Sequence, residues 1–165
     1  MANLTLRQFV ILHESAHAVA TAWLAPGALA GLTLEKDPGS NPRVGSCLAF
    51  TVLNPWHGTV EEALCDVVIS LAGPFYCHHR WPTEVEAYGD GGAADYHSAM
   101  LACQHAESVT GRALRGTLRG EAQRMVASAD FVAAVGAAAC AVEDVARLAE
   151  GRAVTVLPFV VSGKP

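Results

Sequence analysis

The segment Thr5-Leu6-Arg7-Gln8-Phe9-Val10-Ile11-Leu12-His13-Glu14-Ser15-Ala16-His17-Ala18-Val19-Ala20-Thr21-Ala22-Trp23 carries both a helix and its chemistry. Thr5 and Gln8 read as a capping box, the threonine as N-cap and the glutamine reaching back to it. Phe9, Leu12, Ala16, Val19, Ala20 and Trp23 then recur at helical spacing. Pro26-Gly27 reads as the stop. Within the helix, His13-Glu14-Ser15-Ala16-His17 forms an H-E-x-x-H pattern. Histidines four apart project from one helical face, so both imidazoles can reach a single metal ion. Glu14, beside the first histidine, is the candidate general base for a water held at that metal. Both histidines border the apolar stripe, where neutral imidazoles make good ligands. A plain pair of core histidines fits the same pattern.

Composition bounds the rest. A chain of 165 residues suits one domain, residues 1–165, with a real core. The hydrophobic share is 52% and the charged share 16%, which argues against disorder. A net charge of −5 without a basic cluster argues against nucleic acid as the main partner. The apolar run Phe131 to Val142 is too short for a bilayer, so no membrane segment is expected. The N-terminus reads as lacking a secretory pattern. Cys47, Cys65, Cys77, Cys103 and Cys140 never fall in C-x-x-C spacing, and free thiols in a reducing cytoplasm are expected. No P-loop pattern occurs.

The expected fold class is mainly α with a small antiparallel β element (α+β). It comprises the H-E-x-x-H helix, a short β-hairpin and a helical C-terminal half. Leu32 to Glu35 and Val44 to Leu53 read as the two strands, joined through a turn cluster at 37–42. Thr59-Val60-Glu61-Glu62 is a second capping box, opening a helix that Gly73-Pro74 should end or kink. Residues 75–94 read as less regular, with a glycine loop at Gly89-Asp90-Gly91-Gly92. Helix is expected from Asp95 to Thr110. A connection with Gly111, Gly116 and Gly120 then leads to two helices over about 118–150. Gly151 closes that region, and 154–161 reads as extended.

A catalytic zinc takes three protein ligands and keeps one position open. No H-x-x-G-x-x-H extension follows His17. Asp95, which follows the glycine loop and opens a helix, is the best-placed third ligand, although an ordinary N-cap aspartate would look the same. Glu61, Glu62 and Asp66 are the alternatives. His57, His79, His97 and His105 read as surface or loop residues.

Three stretches together resemble a known family: His13-Glu14-Ser15-Ala16-His17-Ala18, Ser70-Leu71-Ala72-Gly73 and Gly91-Gly92-Ala93-Ala94-Asp95. They are similar, in content and order, to motifs of the peptidase domain of FtsH-type zinc metalloproteases. The similarity covers roughly residues 6 to 155. The resemblance implies zinc held by His13, His17 and Asp95, with Glu14 as catalytic base. It implies a zinc metalloendopeptidase acting on unfolded or flexible polypeptides, here without the family's ATPase module and membrane anchor. Family members carry an Arg and a Glu after the Leu-x-Gly step, where this chain has Pro74, Phe75, Tyr76, Cys77 and His78. Cys77 and His78 are the residues there able to replace the carboxylate that orients a ligand histidine, and a structural or surface role is the plainer expectation for both. The expected partners are a polypeptide substrate, pairing with the strand at 44–53, a separate ATPase or adaptor protein, and a second copy of the chain. Two other functions fit the same residues: a catalytically silent metal-binding adaptor, and a hydrolase of non-peptide substrates.

Overall fold

Six helices build the body of the protein: α1 (Leu6–Leu24), α2 (Val60–Arg80), α3 (Pro82–Tyr88), α4 (Ala93–Thr110), α5 (Arg115–Ala127) and α6 (Ala129–Leu148). The computed structural model describes residues 4–25, 28–35, 48–53, 58–148 and 154–156. The turn cluster at 37–42, residues 44–47 of the expected second strand, Pro26-Gly27, Cys47, His57, Gly151 and 157–161 lie outside the described residues.

Both capping boxes form. Thr5 Oγ1 accepts from Gln8 N while Gln8 Oε1 accepts from Thr5 N. Thr59 and Glu62 repeat the exchange at the start of α2. Each box satisfies two backbone donors that a helix start otherwise leaves bare.

The fold class is mainly α, which corrects the expected α+β class with its β-hairpin. Helix accounts for 84% of the residues whose side chains the structure describes. Three short backbone segments, β1 (Leu29–Glu35), β2 (Leu48–Leu53) and β3 (Val154–Val156), run antiparallel in the order β2-β1-β3. β1 and β2 lie against α1, and β3 lies against α6. The alternation at 32–35 signals extended chain, but the core is built by helix faces, and Leu32 is the strand residue described as buried within it.

α2 is the hub, packing on α1, α4 and α5. Its Val67, Val68, Leu71, Ala72, Phe75 and Tyr76 meet Ala16, Val19 and Ala20 of α1, Ala99, Ala102 and Ala106 of α4, and Leu118, Ala122 and Val126 of α5. The many alanines let these helices approach closely. Phe131 of α6 is fully buried and meets the rings of Trp23 and Tyr76 edge-on, at 5.3 and 6.2 Å between centroids.

Pro74 does not end α2. The helix runs through it to Arg80. Proline gives up one backbone bond to the carbonyl four residues earlier. Here Ser70 to Cys77 are all buried, and that packing holds the helix together across the gap. The stretch 75–94 is likewise more regular than expected, because Pro82 takes the first position of α3, where its missing N–H costs nothing. The expected connection through 111–120 is also shorter. Gly111 caps α4 in the left-handed region, but Gly116 and Gly120 lie inside α5. Ser128 divides α5 from α6: its N–H donates to Met125 O, and its hydroxyl accepts from Phe131 N. Among the described residues no single helix is long and apolar enough to cross a membrane.

Candidate metal centre

His13 and His17 sit one turn apart on α1, both buried, with ring centroids 4.8 Å apart. Helical periodicity puts both rings on one face, and their Nε2 atoms lie 3.0 Å from each other. Asp95 comes from another part of the chain. It is the third residue of α4, and the N-cap position in front of that helix belongs to Gly92. The reading of Asp95 as an N-cap is thereby set aside. Its Oδ2 lies 3.1 Å from His13 Nε2 and 3.4 Å from His17 Nε2.

A short loop delivers Asp95. Gly91 has φ 66°, a left-handed conformation that favours glycine. Asp90, whose sequence position marks it only as part of a glycine loop, fastens it. Asp90 Oδ1 accepts from Gly92 N at 3.1 Å, and Oδ2 accepts from Tyr96 Oη at 2.8 Å. His78 Nε2 meets the same oxygen at 3.1 Å. An aspartate bonding a backbone N–H two residues on is a common turn device, and Asp90-Gly91-Gly92 was the available signal for it.

Each histidine is also held from behind by α2. His17 Nδ1 donates to Ile69 O at 2.7 Å. A carbonyl can only accept, so in the neutral ring the proton sits on Nδ1 and Nε2 offers its lone pair to the site. His13 Nδ1 faces Cys77 Sγ at 3.8 Å. Cys77 is therefore not a surface residue: it is fully buried against the back of His13. Between those two contacts lies Gly73. A Cβ there would fall 2.3 Å from His17 Nε2 and 2.7 Å from His13 Nε2. The space in front of both nitrogens exists because residue 73 has no side chain.

Electrostatics follow the same geometry. Burial lowers the pKa of His13, and the Asp95 bond offsets this only in part. Burial also opposes charging of His17, but Asp95, the negative charge of Glu14 and the Ile69 carbonyl outweigh it and raise its pKa. Burial pushes against ionisation of Asp95, yet its bonds to the two histidines prevail and hold the carboxyl well below the usual range. Burial pushes the Cys77 thiol up, so it remains S–H at neutral pH. Glu14 is half-buried beside this cluster.

The donor set suits a metal. Two imidazole nitrogens and a carboxylate oxygen converge within 4.8 Å of one another, and among the described residues no other such group occurs. Electron-rich atoms facing one another repel unless a proton or cation lies between them. Donors bound tetrahedrally to one zinc stand roughly 3.3 Å apart, given Zn–N and Zn–O bonds of about 2.0–2.2 Å. The observed 3.0, 3.1 and 3.4 Å bracket that spacing. The Asp95 side chain is 25% exposed against 8% and 7% for the histidines, so the approach from solvent lies on its side.

The alternative ligands are not brought in. Glu61 is exposed, and Glu62 is engaged in capping α2. Asp66 is half-buried with its pKa raised by burial to about 6, partly offset by Ser70 and His17. His79, His97 and His105 are exposed on helices. His78 is exposed as well and bonds Asp90. No family model, curated protein or solved structure matches this chain.

Proposed function

We propose that this protein is a zinc-dependent metallopeptidase that cleaves unfolded or flexible polypeptides, as the likeness of its three motifs to FtsH-type peptidase domains implies. The convergence of His13, His17 and Asp95 in front of Gly73 supports the metal, and Glu14 beside them supports hydrolysis. Zinc, when bound, acidifies water and polarises a carbonyl. The residues of the chain do the rest. His13 and His17 are oriented by α2 and would hold the ion as neutral imidazoles, and Asp95 brings the negative charge that balances part of the cation. Glu14 takes a proton from the attacking water and returns it to the leaving amine. An extended substrate reaches this cluster from the exposed side of Asp95. The four described cysteines are free, which suits a reducing compartment such as the cytoplasm.

The test is zinc analysis of the purified chain together with cleavage of casein, with and without ATP. One zinc per chain and ATP-independent cleavage are expected. Glu14→Gln should keep the zinc and lose at least ~10²-fold in turnover, since glutamine cannot act as a base. Stoichiometric zinc without cleavage of any unfolded protein would leave a metal-binding adaptor as the reading. Equal turnover of wild type and Glu14→Gln would remove the base from the mechanism.

A further inference from the structure

Ile69, Gly73 and Cys77 are spaced by four along α2 and so share one face of it, as His13 and His17 do on α1. The two faces meet with opposite sense. Ile69 O holds Nδ1 of His17 at 2.7 Å, Gly73 leaves room before both Nε2 atoms, and Cys77 Sγ stands 3.8 Å from Nδ1 of His13. The thiol is fully buried.

We propose that Cys77 is the positioning residue of His13: its sulfur accepts the Nδ1–H bond and thereby keeps the Nε2 lone pair turned to the metal. The assignment rests on the metal reading above. It also makes the two histidines unequal. A metal-bound histidine commonly gives its second N–H to a carboxylate, carbonyl or water, and losing that partner costs about 10- to 100-fold in metal affinity or activity. His17 has such a carbonyl. His13 has a sulfur, which is a weak acceptor at longer range. His13 is therefore the looser ligand, and residue 77 sets how tightly the site holds its ion.

The experiment measures zinc affinity of the full chain by competition with a chromogenic chelator. It compares wild type with Cys77→Ala, Cys77→Val and Cys77→Asp, and follows the histidine ring nitrogens by NMR in each zinc-loaded protein. Alanine and valine should weaken zinc binding about ten-fold, the lower end of the range for such partners. They should also shift the His13 Nδ1–H signal while leaving that of His17 in place. Aspartate should bring affinity back to wild type or above; should it fail to fold, Cys77→Ser carries the rescue arm. A packing role alone predicts that valine, which fills the space, restores affinity, and that result overturns the assignment. So does an unmoved His13 signal. Undiminished affinity in both apolar variants sinks the assignment while leaving the metal site standing. A wild-type chain that takes up no zinc overturns the metal site itself and Cys77's role with it.

Discussion

His13 and His17 reach their site by the pitch of one helix; Asp95 reaches it from the first turn of another, delivered by the loop in front of it. The first pair is fixed by the pitch of α1, by burial on all sides from Ser15 to Thr21, and by α2 behind both rings. Asp95 depends on a loop that turns at Gly91 and is fastened by the Asp90 carboxylate to Gly92, Tyr96 and His78. Ligands that share a helix come as a unit with the core. A ligand from a separate element needs its own fastening, and that fastening can be loosened while the core stays folded.

Three changes test that difference, in falling order of effect. Asp95→Ala removes the delivered ligand and leaves a histidine pair, so zinc content should drop sharply while helicity stays near wild type. If zinc remains stoichiometric, the third ligand lies elsewhere, with Glu61, Glu62 and Asp66 the next residues to vary. Asp90→Ala keeps every ligand and cuts only the fastening. Zinc affinity should fall about three- to ten-fold, less than for a direct partner of a ligand histidine, with α1 unchanged by amide hydrogen exchange. Protection lost in α1 as well would show that loop and helix are one unit.

The smallest effect is on pH dependence in the presence of a chelator. Asp95 is held below its unfolded value of about 3.9, so its stabilising share is full above that pH and is lost as pH falls. His17 is raised above about 6.5, so its share is full below that value and is lost as pH rises through its folded pKa. The advantage of wild type over Asp95→Asn in melting temperature should therefore be greatest between about pH 4 and 6.5 and shrink on both sides. A difference constant from pH 3 to 9 would mean that the carboxylate does not pair with the histidines.

The same contrast explains what the sequence disclosed. The histidine pair and the capping boxes at Thr5 and Thr59 were legible because each is a pattern within one turn of helix. Asp95 was legible through its glycine-rich approach and the likeness of three motifs to one family, though its place at the third helical position was not. Three features misled. The short alternating stretch at 32–35 suggested an α+β class, yet helix faces make the core. Pro74 suggested a helix end, but burial from Ser70 to Cys77 overrides the missing bond. Gly116 and Gly120 suggested a connection, and both sit inside α5. The Ile69 carbonyl could not be foreseen, because every residue has one and only the packing of α2 on α1 selects it. The approach of Cys77 to His13 is of the same kind, set by two helices meeting 64 residues apart in sequence.

The contact between His13 and Asp95 spans 82 positions along the chain. α1 and α4 each pack chiefly on α2, so this meeting is made at the tip of α4 and not along its length. An ion bound there would tie the two helices together as a staple. In chain-entropy terms a cross-link closing a loop of that length removes on the order of 4 kcal/mol of freedom from the unfolded chain. The proposed hydrolytic centre would then also be a structural clasp, and the tightness with which it grips its ion would set how firmly the first and fourth helices stay joined.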